Sequence, residues 1–251
     1  MELGPDVLVV LPAYNEAPSV ASVIREVLAA APKVHLLVVD DGSADATAAL
    51  ARAAGAEVVV DAFNLGVGGA MRVGFRYAVA HGYRALVQVD ADGQHDPQDL
   101  PRLLDQLEDV PEPRVVIGAR FAGEGEFHVP VARRWAMRLL AGYLSHMTHV
   151  HLTDVTSGYR AHNRAAMELF ARTYPANYLA DTVESLVIVT DAGGTITQVP
   201  VAMRSRLGGA PSQSTIRAAI YLLQVTLMLA LSILRRRSTR STRSHVPEEQ
   251  P

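Results

Sequence analysis

The sequence contains no cysteine and a single lysine, Lys33. The absence of thiols excludes disulfides, thiolate zinc sites and a cysteine nucleophile. The single lysine leaves one candidate for any chemistry that depends on an amine side chain. Arginine supplies all the other positive charges among the 23 basic residues. The absence of cysteine and the presence of one lysine therefore limit the side-chain nucleophiles and metal ligands that the chain can use.

Two common ligand-binding signatures are also missing. A dinucleotide-binding fold carries G-x-G-x-x-G after its first strand, but the corresponding segment here is PAYNEA, which has no glycine. The later run GVGG at 66–69 has Met71 where that pattern requires its last glycine. A phosphate loop requires G-x-x-x-x-G-K, and Lys33 follows a proline. Neither NAD(P) binding nor a P-loop NTPase is therefore predicted.

The net charge of −3 is unevenly distributed along the chain. Residues 235–251 contain five arginines and two glutamates and carry +3, whereas the rest of the chain carries −6. A protein that binds a nucleic-acid duplex normally presents a basic body, so no nucleic-acid partner is expected. The opening residues, MELGPDVLVVLP, lack the basic segment and cleavage site of a signal peptide. We therefore expect the chain to remain in the cytoplasm.

Apolar runs alternate with helical patterns through the first half of the chain. The runs are rich in β-branched residues and are bounded by turn or polar residues, which is typical of buried strands. This alternation predicts an α/β fold with a mostly parallel, doubly wound sheet and helices on both faces. Ser19 and Ser43 are predicted N-caps, and Gly55 and Gly82 are predicted to follow helix ends. The predicted strands are 7–11, 34–39, 57–60, 85–89 and 115–117, and the predicted helices are 19–31, 44–54, 69–81 and 97–107.

The second half has a different pattern and ends in an apolar segment. The predicted elements are helices at 131–149, 165–173 and 182–192, a polar segment at 154–164 and a strand at 195–203. Residues 218–234 contain no charged side chain. Such a helix spans ~25 Å, less than the ~30 Å hydrocarbon core of a bilayer, so an interfacial helix is favoured over a spanning one. A buried or dimerising helix stays an alternative, which leaves a homodimer possible. The predicted organisation is an α/β domain at 1–215, an apolar helix at 216–234 and a disordered basic tail at 235–251.

Four polar segments follow predicted strands, at the edge of an open α/β sheet where ligands bind. In one of them, Asp90, Asp92 and Gln94 alternate onto the same side and offer oxygen ligands to a hard cation. Mg²⁺ and Mn²⁺ accept few protein ligands of this kind and complete their shell with water and substrate phosphate. The sequence therefore predicts a Mg²⁺ or Mn²⁺ site. The four segments are PAYNE at 12–16, DDGS at 40–43, DADGQH at 90–95 and GAR at 118–120.

Six sequence motifs follow one another along the chain: PAYNE, VVDDGSADAT, NLGVGGAMRVGFRYA, VDADGQHDP, IGAR and DVTSGYRA. Their order resembles that of family-2 glycosyltransferases with a GT-A fold. The likeness is to dolichol-phosphate mannosyltransferases and bacterial polyprenyl-phosphate glycosyltransferases, and it covers roughly residues 6–215. It implies a GT-A glycosyltransferase domain at 1–215 that transfers a hexose from a GDP-mannose or UDP-glucose type donor to a polyprenyl phosphate. It also implies that the enzyme acts at the cytoplasmic face of the plasma membrane, attached peripherally or through a single C-terminal helix.

The resemblance implies roles for individual residues of this sequence. The implied donor-nucleotide contacts are Pro12, Tyr14, Glu16, Val39, Asp40, Asp41, Asp90 and Ala91. The implied metal ligands are Asp90, Asp92 and Gln94. The implied catalytic groups at the sugar diphosphate are Asp92, Arg120 and Arg206. The implied contacts to the acceptor phosphate are Arg120, Arg133, Arg134 and Ser212.

The choice of acceptor decides whether a general base is needed. A phosphate monoester is largely anionic near neutral pH, its second pKa being ~6, so an inverting transfer to it needs no strong base. A saccharide hydroxyl needs one, and by analogy with hydroxyl-glycosylating relatives the candidates are Asp181 and Glu184. A family-2 enzyme acting on a saccharide hydroxyl therefore stays an alternative, as does a non-catalytic, membrane-associated module that binds nucleotide sugars. A sugar-1-phosphate nucleotidyltransferase should begin with a glycine-rich basic loop, which PAYNEA is not.

Overall fold

A seven-stranded mixed sheet organises the described part of the chain. In this computed structural model the described residues are 3–107, 109–120, 140–146, 148, 150–175 and 180–208. The chain divides into two units, Met1–Ala210 and Pro211–Pro251, and all the described residues belong to the first. The strands are β1 Val7–Ala13, β2 His35–Asp40, β3 Glu57–Val60, β4 Ala85–Gln88, β5 Arg114–Ala119, β6 Arg160–Asn163 and β7 Thr195–Pro200.

The strand order is β3-β2-β1-β4-β6-β5-β7. β1 pairs in parallel with β2 and β4, and β2 pairs in parallel with β3. β6 is antiparallel to both β4 and β5, whereas β5 and β7 are parallel. The predicted α/β class is confirmed. The doubly wound parallel sheet is correct in its main part, but the sheet is mixed because β6 runs against its neighbours.

Helices lie between the strands close to the positions that the sequence predicts. The first shows why: Val20, Val23, Ile24 and Val27 follow the i, i+3, i+4, i+7 spacing of an apolar helix face, and all four are buried. Residues 140–146 are also helical. The named helices are α1 Val20–Ala30, α2 Thr47–Ala53, α3 Val67–Ala80, α4 Leu100–Asp105, α5 Arg164–Thr173 and α6 Ala180–Asp191.

Helices cover both faces of the sheet. Successive residues of a strand point to opposite faces, and in β1 both sets are buried. Val7 and Val9 belong to a core that includes the apolar faces of α1 and α4. On the opposite face α3 packs closely on β1, since a Cβ placed on Gly74 would lie 2.8 Å from a methyl group of Val10. The prediction of helices on both faces is confirmed.

The sequence did not predict β6, which falls in the segment 154–164 that the sequence marks only as polar. The strand reads Arg-Ala-His-Asn and has no apolar alternation, yet all four residues are buried. Arg160 donates three hydrogen bonds, two to backbone carbonyls and one to the Ser185 hydroxyl. Because hydrogen bonding offsets the cost of burying polar groups, a polar sequence can form an interior strand that hydrophobic patterns do not reveal.

The predicted helix ends are partly correct. Gly55 and Gly82 have positive φ angles of 98° and 78° and follow α2 and α3, as predicted. Ser19 is the N-cap residue of α1, although its hydroxyl makes no capping bond to the helix backbone. The N-cap prediction for Ser43 is wrong, because α2 begins only at Thr47. The hydroxyl of Ser43 instead accepts a hydrogen bond from the loop after β1.

Several predictions fall outside the described residues. Of the predicted helix at 131–149, the structure describes 140–146 as helical. The apolar segment 216–234 and the basic tail 235–251 lie wholly outside. Across the part of the chain that is described, no helix has the length and hydropathy needed to cross a membrane. The interfacial helix and the domain boundaries stay predictions.

Candidate active site

The carboxyl ends of β1, β2 and β4 lie side by side at one edge of the sheet. The strand register pairs Ala13 with Asp40, and Val10 with Gln88. The N–H of Asp41 donates to the Ala13 carbonyl over 2.8 Å, which continues the pairing beyond β2. The segments PAYNE, DDGS and DADGQ therefore converge, as the sequence predicts. Pro12 and Val39, two predicted nucleotide contacts, are also register partners near this edge.

Hydrogen bonds fasten the loop after β1 to the loop after β2. The Asn15 N–H donates to Ser43 Oγ over 2.9 Å, and the Glu16 N–H donates to Thr47 Oγ1 over 2.9 Å. Asn15 has a φ of 55°, in the left-handed region that asparagine tolerates better than most residues. This turn leaves Tyr14 48% exposed. A planar ring is thereby available to a ligand at the edge of the sheet.

Asp40 and Asp41 are both buried and bind backbone N–H groups of the protein itself. The Asp41 carboxylate accepts from the Leu65 N–H over 2.6 Å and from the Gly66 N–H over 2.8 Å, immediately before α3. Asp40 accepts from the Ser43 N–H over 2.9 Å. Burial raises the pKa of Asp41. The two carboxylates lie at the predicted place and shape its loops, and their contact with a nucleotide stays a prediction.

Asp90 and Asp92 follow β4, with the buried Ala91 between them. Asp92 is only 6% exposed, and its Oδ1 accepts from the Gln94 N–H over 2.9 Å. The Asp90 side chain is more open, and its Oδ1 accepts from Gln88 Nε2 over 3.2 Å. Burial, followed by the nearby charge of Asp90, raises the pKa of Asp92. The pair concentrates negative charge at the edge of the sheet, which favours a cation there.

Arg206 supplies a cationic group to this pair. Its Nη2 lies 2.9 Å from Asp92 Oδ2, and its Nη1 lies 3.5 Å from Glu16 Oε1. Burial raises the pKa of Glu16, an effect that the Arg206 charge opposes. The N–H of Leu207 donates to the Asp92 carbonyl over 3.0 Å and holds the segment in place. Arg206 thus links the PAYNE and DADGQ segments, a contact that the sequence alone did not predict.

Arg120 forms a bidentate ion pair with Asp154. Nε of Arg120 lies 2.6 Å from Asp154 Oδ2, and Nη2 lies 2.9 Å from Oδ1. Nη2 also donates to Thr156 Oγ1 over 2.6 Å. The Asp154 side chain is 0% exposed; burial alone would raise its pKa, but the hydrogen bonds and charge of Arg120 hold that pKa below its ordinary value. Arg120 lies at the carboxyl end of β5, with much of its guanidinium engaged by protein groups.

Buried Arg160 holds the segment that carries Asp154. Its guanidinium donates to the Ser157 carbonyl over 2.8 Å and to the Val155 carbonyl over 2.9 Å. A third bond, 2.9 Å long, reaches the Ser185 hydroxyl on α6. Polar residues in a segment such as DVTSGYR at 154–160 can contact an acceptor or support their own loop. The observed contacts are those of loop support.

The two candidate general bases have different environments, although both lie on α6. Asp181 is buried, whereas Glu184 is exposed. The Thr182 N–H donates to Asp181 Oδ1 over 2.8 Å. Burial lowers the pKa of Arg160, and the nearby charge of Asp181 is among the effects that oppose this shift. Asp181 therefore contributes to charge compensation inside the protein.

The structure does not describe three predicted acceptor contacts, Arg133, Arg134 and Ser212. Across the described ranges, no group of three or more histidine, aspartate or glutamate side chains is arranged to hold a metal ion. Sequence reasoning also passed over His95, which contacts Asp90 directly. Its position in DADGQH, next to Gln94, was the available signal.

Comparison with known proteins identifies the family. Residues 8–170 match the family described as glycosyl transferase family 2. The matched region is more than half of the 251 residues, and the chain belongs to this family. The family predicted from the six motifs is therefore confirmed, and the protein is a glycosyltransferase.

Two curated relatives are mannosyl-transferring enzymes by name. The polyprenol monophosphomannose synthase of Mycolicibacterium smegmatis is 36% identical over 173 residues, which cover 64% of this chain and 63% of that protein. The undecaprenyl-phosphate mannosyltransferase of Micrococcus luteus is 39% identical over 165 residues, covering 62% of this chain and 65% of that protein. The matches thus span slightly less than two thirds of each relative.

Solved structures of a related synthase resemble this fold. The glucosyl-3-phosphoglycerate synthase of Mycobacterium tuberculosis, in complex with Mn²⁺ and uridine-diphosphate-glucose, is 25% identical. The similarity has a TM-score of 0.64 and covers 90% of this chain and 78% of that chain. Another crystal structure of the same synthase gives a TM-score of 0.66 at 25% identity, covering 90% of this chain and 79% of that chain. These neighbours agree with the α/β fold class derived above.

Proposed function

We propose that this glycosyltransferase moves a hexose from a nucleotide-diphosphate sugar, of GDP-mannose or UDP-glucose type, to a polyprenyl phosphate with inversion at the anomeric carbon. The names of the two mannosyl-transferring relatives support the lipid phosphate acceptor. The synthase that holds uridine-diphosphate-glucose supports the donor class. The single observation that carries the proposal is the Asp90–Asp92 pair at the carboxyl edge of the sheet, in which Asp92 contacts Arg206.

The chemistry of this pair fits a divalent cation. Asp92 already holds a cationic group through Oδ2, and a Cβ on Gly158 would lie 3.1 Å from each carboxylate oxygen of Asp90, so glycine keeps that space open. Asp90, Asp92 and Gln94 would hold Mg²⁺ or Mn²⁺, in accordance with the few protein ligands that such ions accept. When bound, the ion would neutralise charge on the departing diphosphate. The Mn²⁺ in the related synthase supports this assignment.

Arg206 has a second task in this proposal. Its guanidinium occupies one oxygen of the carboxylate that a metal ion would require, so metal and Arg206 compete for Asp92. Displaced from Asp92, Arg206 would remain beside the diphosphate and stabilise its developing charge. Glu16 keeps the guanidinium near this position through the longer contact of 3.5 Å.

The donor nucleotide would lie along the edge formed by the first two motifs. The exposed ring of Tyr14 offers a surface for the base, and the fastened loops after β1 and β2 keep that surface in a fixed position. We assign the nucleotide contacts predicted from the sequence to this edge. They are Pro12, Tyr14, Glu16, Val39, Asp40, Asp41, Asp90 and Ala91.

The acceptor phosphate would approach from the β5 side of the edge. Arg120 is held there by Asp154, which fixes the direction of the guanidinium and reduces its net charge. We therefore assign Arg120 to orienting the acceptor, and Arg133, Arg134 and Ser212 to binding the acceptor phosphate.

The apolar segment 216–234 and the arginine-rich tail would bring the enzyme to an anionic membrane surface at the cytoplasmic face. Flotation with anionic vesicles tests this attachment. Recovery of the protein in the unbound fraction would contradict the proposed membrane attachment.

The acceptor phosphate is its own nucleophile, so neither candidate base should be essential. Glu184→Gln should keep transfer within about threefold of the wild type because the side chain is exposed. Asp181→Asn should keep kcat but lower the melting temperature, since buried Arg160 loses a nearby opposite charge. Single-turnover transfer and thermal unfolding measure both effects. A loss of ~10²–10⁴-fold in a folded variant, the usual contribution of a general base, would instead indicate a hydroxyl acceptor.

A donor panel tests the proposed reaction directly. The full-length protein is incubated with GDP-mannose, UDP-glucose or related donors, Mg²⁺ or Mn²⁺, and undecaprenyl phosphate in vesicles. We expect a glycolipid with an inverted anomeric linkage, identified by mass spectrometry and NMR. Transfer to an oligosaccharide hydroxyl, with none to the lipid phosphate, would contradict the proposal.

A further inference from the structure

His95 contacts Asp90 at two points. The Asp90 N–H donates to His95 Nδ1 over 3.0 Å, and His95 Nε2 lies 3.6 Å from Asp90 Oδ2. Because a backbone N–H can only donate, Nδ1 accepts, and the hydrogen of the neutral ring is on Nε2, on the side of the carboxylate. One ring therefore faces both the backbone and the side chain of Asp90.

The His95 ring is held in place by its surroundings. The side chain is 2% exposed and stacks on Tyr159, with ring centroids 4.7 Å apart and planes 11° from parallel. The Tyr159 hydroxyl donates to the Asp96 carbonyl over 2.9 Å, which fixes the stacking partner. A side chain locked in this way can set the geometry of the group that it contacts.

Other groups define the opposite side of the Asp90 carboxylate. Gln88 Nε2 donates to Oδ1, while His95 faces Oδ2. Gly158 leaves the space beside both oxygens open. The direction of the carboxylate is thus set by one neighbour at each oxygen.

The backbone around His95 also connects this turn to the segment that carries Arg206. His95 pairs with Met203 in an isolated antiparallel bridge. The Arg204 N–H donates to the Gln94 carbonyl over 3.0 Å. His95, whose ring contacts Asp90, therefore belongs to the same turn that pairs with the segment carrying Arg206.

We propose that His95 is a positioning residue that holds Asp90 in the orientation required by the metal and the donor diphosphate. This inference rests on the proposed function, in which Asp90 is a metal ligand. Groups that orient metal ligands typically contribute 10–100-fold to metal affinity or activity. Loss of the two polar contacts of His95 should therefore weaken metal binding by about 10–100-fold without changing the ligands themselves.

Two substitutions separate positioning from packing. His95→Asn retains an acceptor near the position of Nδ1 but loses the stacked ring, whereas His95→Phe retains the ring and loses both polar contacts. Mn²⁺ binding is measured by electron paramagnetic resonance in the presence of GDP and, separately, of UDP, together with the Mn²⁺ dependence of transfer. We expect His95→Phe to raise the Kd for Mn²⁺ about 10–100-fold, and His95→Asn, which keeps the backbone contact but loses the one at Oδ2, to raise it by a smaller factor. Thermal unfolding checks whether both variants fold.

His81 offers a matched control, because it also stacks on a tyrosine, Tyr77, but lies at the end of α3 away from the site. His81→Phe should leave Mn²⁺ binding unchanged. Normal Mn²⁺ binding by His95→Phe, with weak binding by His95→Asn, would overturn the inference and assign His95 to packing. If wild-type protein binds no Mn²⁺ with either nucleotide, the proposed metal role of Asp90 fails, and the inference falls with it.

Discussion

Asp92→Asn should lower sugar transfer by about three orders of magnitude while the fold persists. The amide keeps the shape of the side chain but removes the anionic oxygen that faces Arg206 and, in the proposed mechanism, the metal. Metal stabilisation of a departing diphosphate amounts to several kcal/mol, and each ~1.4 kcal/mol corresponds to a factor of ten in rate. Single-turnover transfer with saturating donor measures the loss. Asp90→Asn should act in the same direction but less severely, since contact with the donor nucleotide is part of its proposed role.

The stability of the Asp92→Asn variant should be close to that of the wild type. Burial and the charge of Asp90 both disfavour the ionised form of Asp92. Replacing this carboxylate with a neutral amide removes an unfavourable buried charge, which offsets the loss of the contact with Arg206. Asp6→Asn is a suitable control, because Asp6 precedes β1 at the opposite edge and pairs with Arg84, away from the site. Near-normal transfer by Asp92→Asn in excess chelator would show that the reaction does not depend on a metal at this carboxylate.

The parallel part of the fold could be predicted from the sequence because its signals are local. In β1 and β2 the β-branched runs are continuous, and the helix after β1 has a regular apolar face. Since parallel strands end at a common edge, the polar residues that follow them were expected to converge, and Asp40, Asp41 and Asp90 lie there.

The rest of the site depends on contacts between residues that are distant in sequence. Arg206 reaches Asp92 only because the segment after β7 pairs with the DADGQ turn, and no local pattern encodes that pairing. β6 escaped prediction because buried Arg160 is stabilised by individual hydrogen bonds, which leave no periodic trace in a sequence. Arg120 was predicted to face substrate, whereas the structure shows how strongly Asp154 engages it.

Asp154→Asn should destabilise the protein by ~3–5 kcal/mol, the usual cost of removing one partner from a buried ion pair. The Asp154 side chain is 0% exposed and that of Arg120 is 12% exposed, so the remaining guanidinium would be largely without water. Urea unfolding followed by circular dichroism measures the change in the free energy of unfolding. The pair also predicts a pH dependence: because folding lowers the pKa of Asp154, its stabilisation is fully present above the ordinary carboxyl pKa of about 4 and is lost as the pH falls below it.

The surface pair between Asp6 and Arg84 provides the control for this prediction. Their side chains are 45% and 32% exposed, so Asp6→Asn should cost no more than ~1 kcal/mol. Replacing both partners of the buried pair, as Asp154→Asn with Arg120→Met, should recover part of the loss because no charge is left buried. Asp154→Asn should in addition slow transfer, since Arg120 would lose the carboxylate that orients it at the acceptor side. Equal destabilisation by Asp6→Asn and Asp154→Asn, with no recovery in the double variant, would mean that the Arg120–Asp154 contact contributes no more than an exposed ion pair.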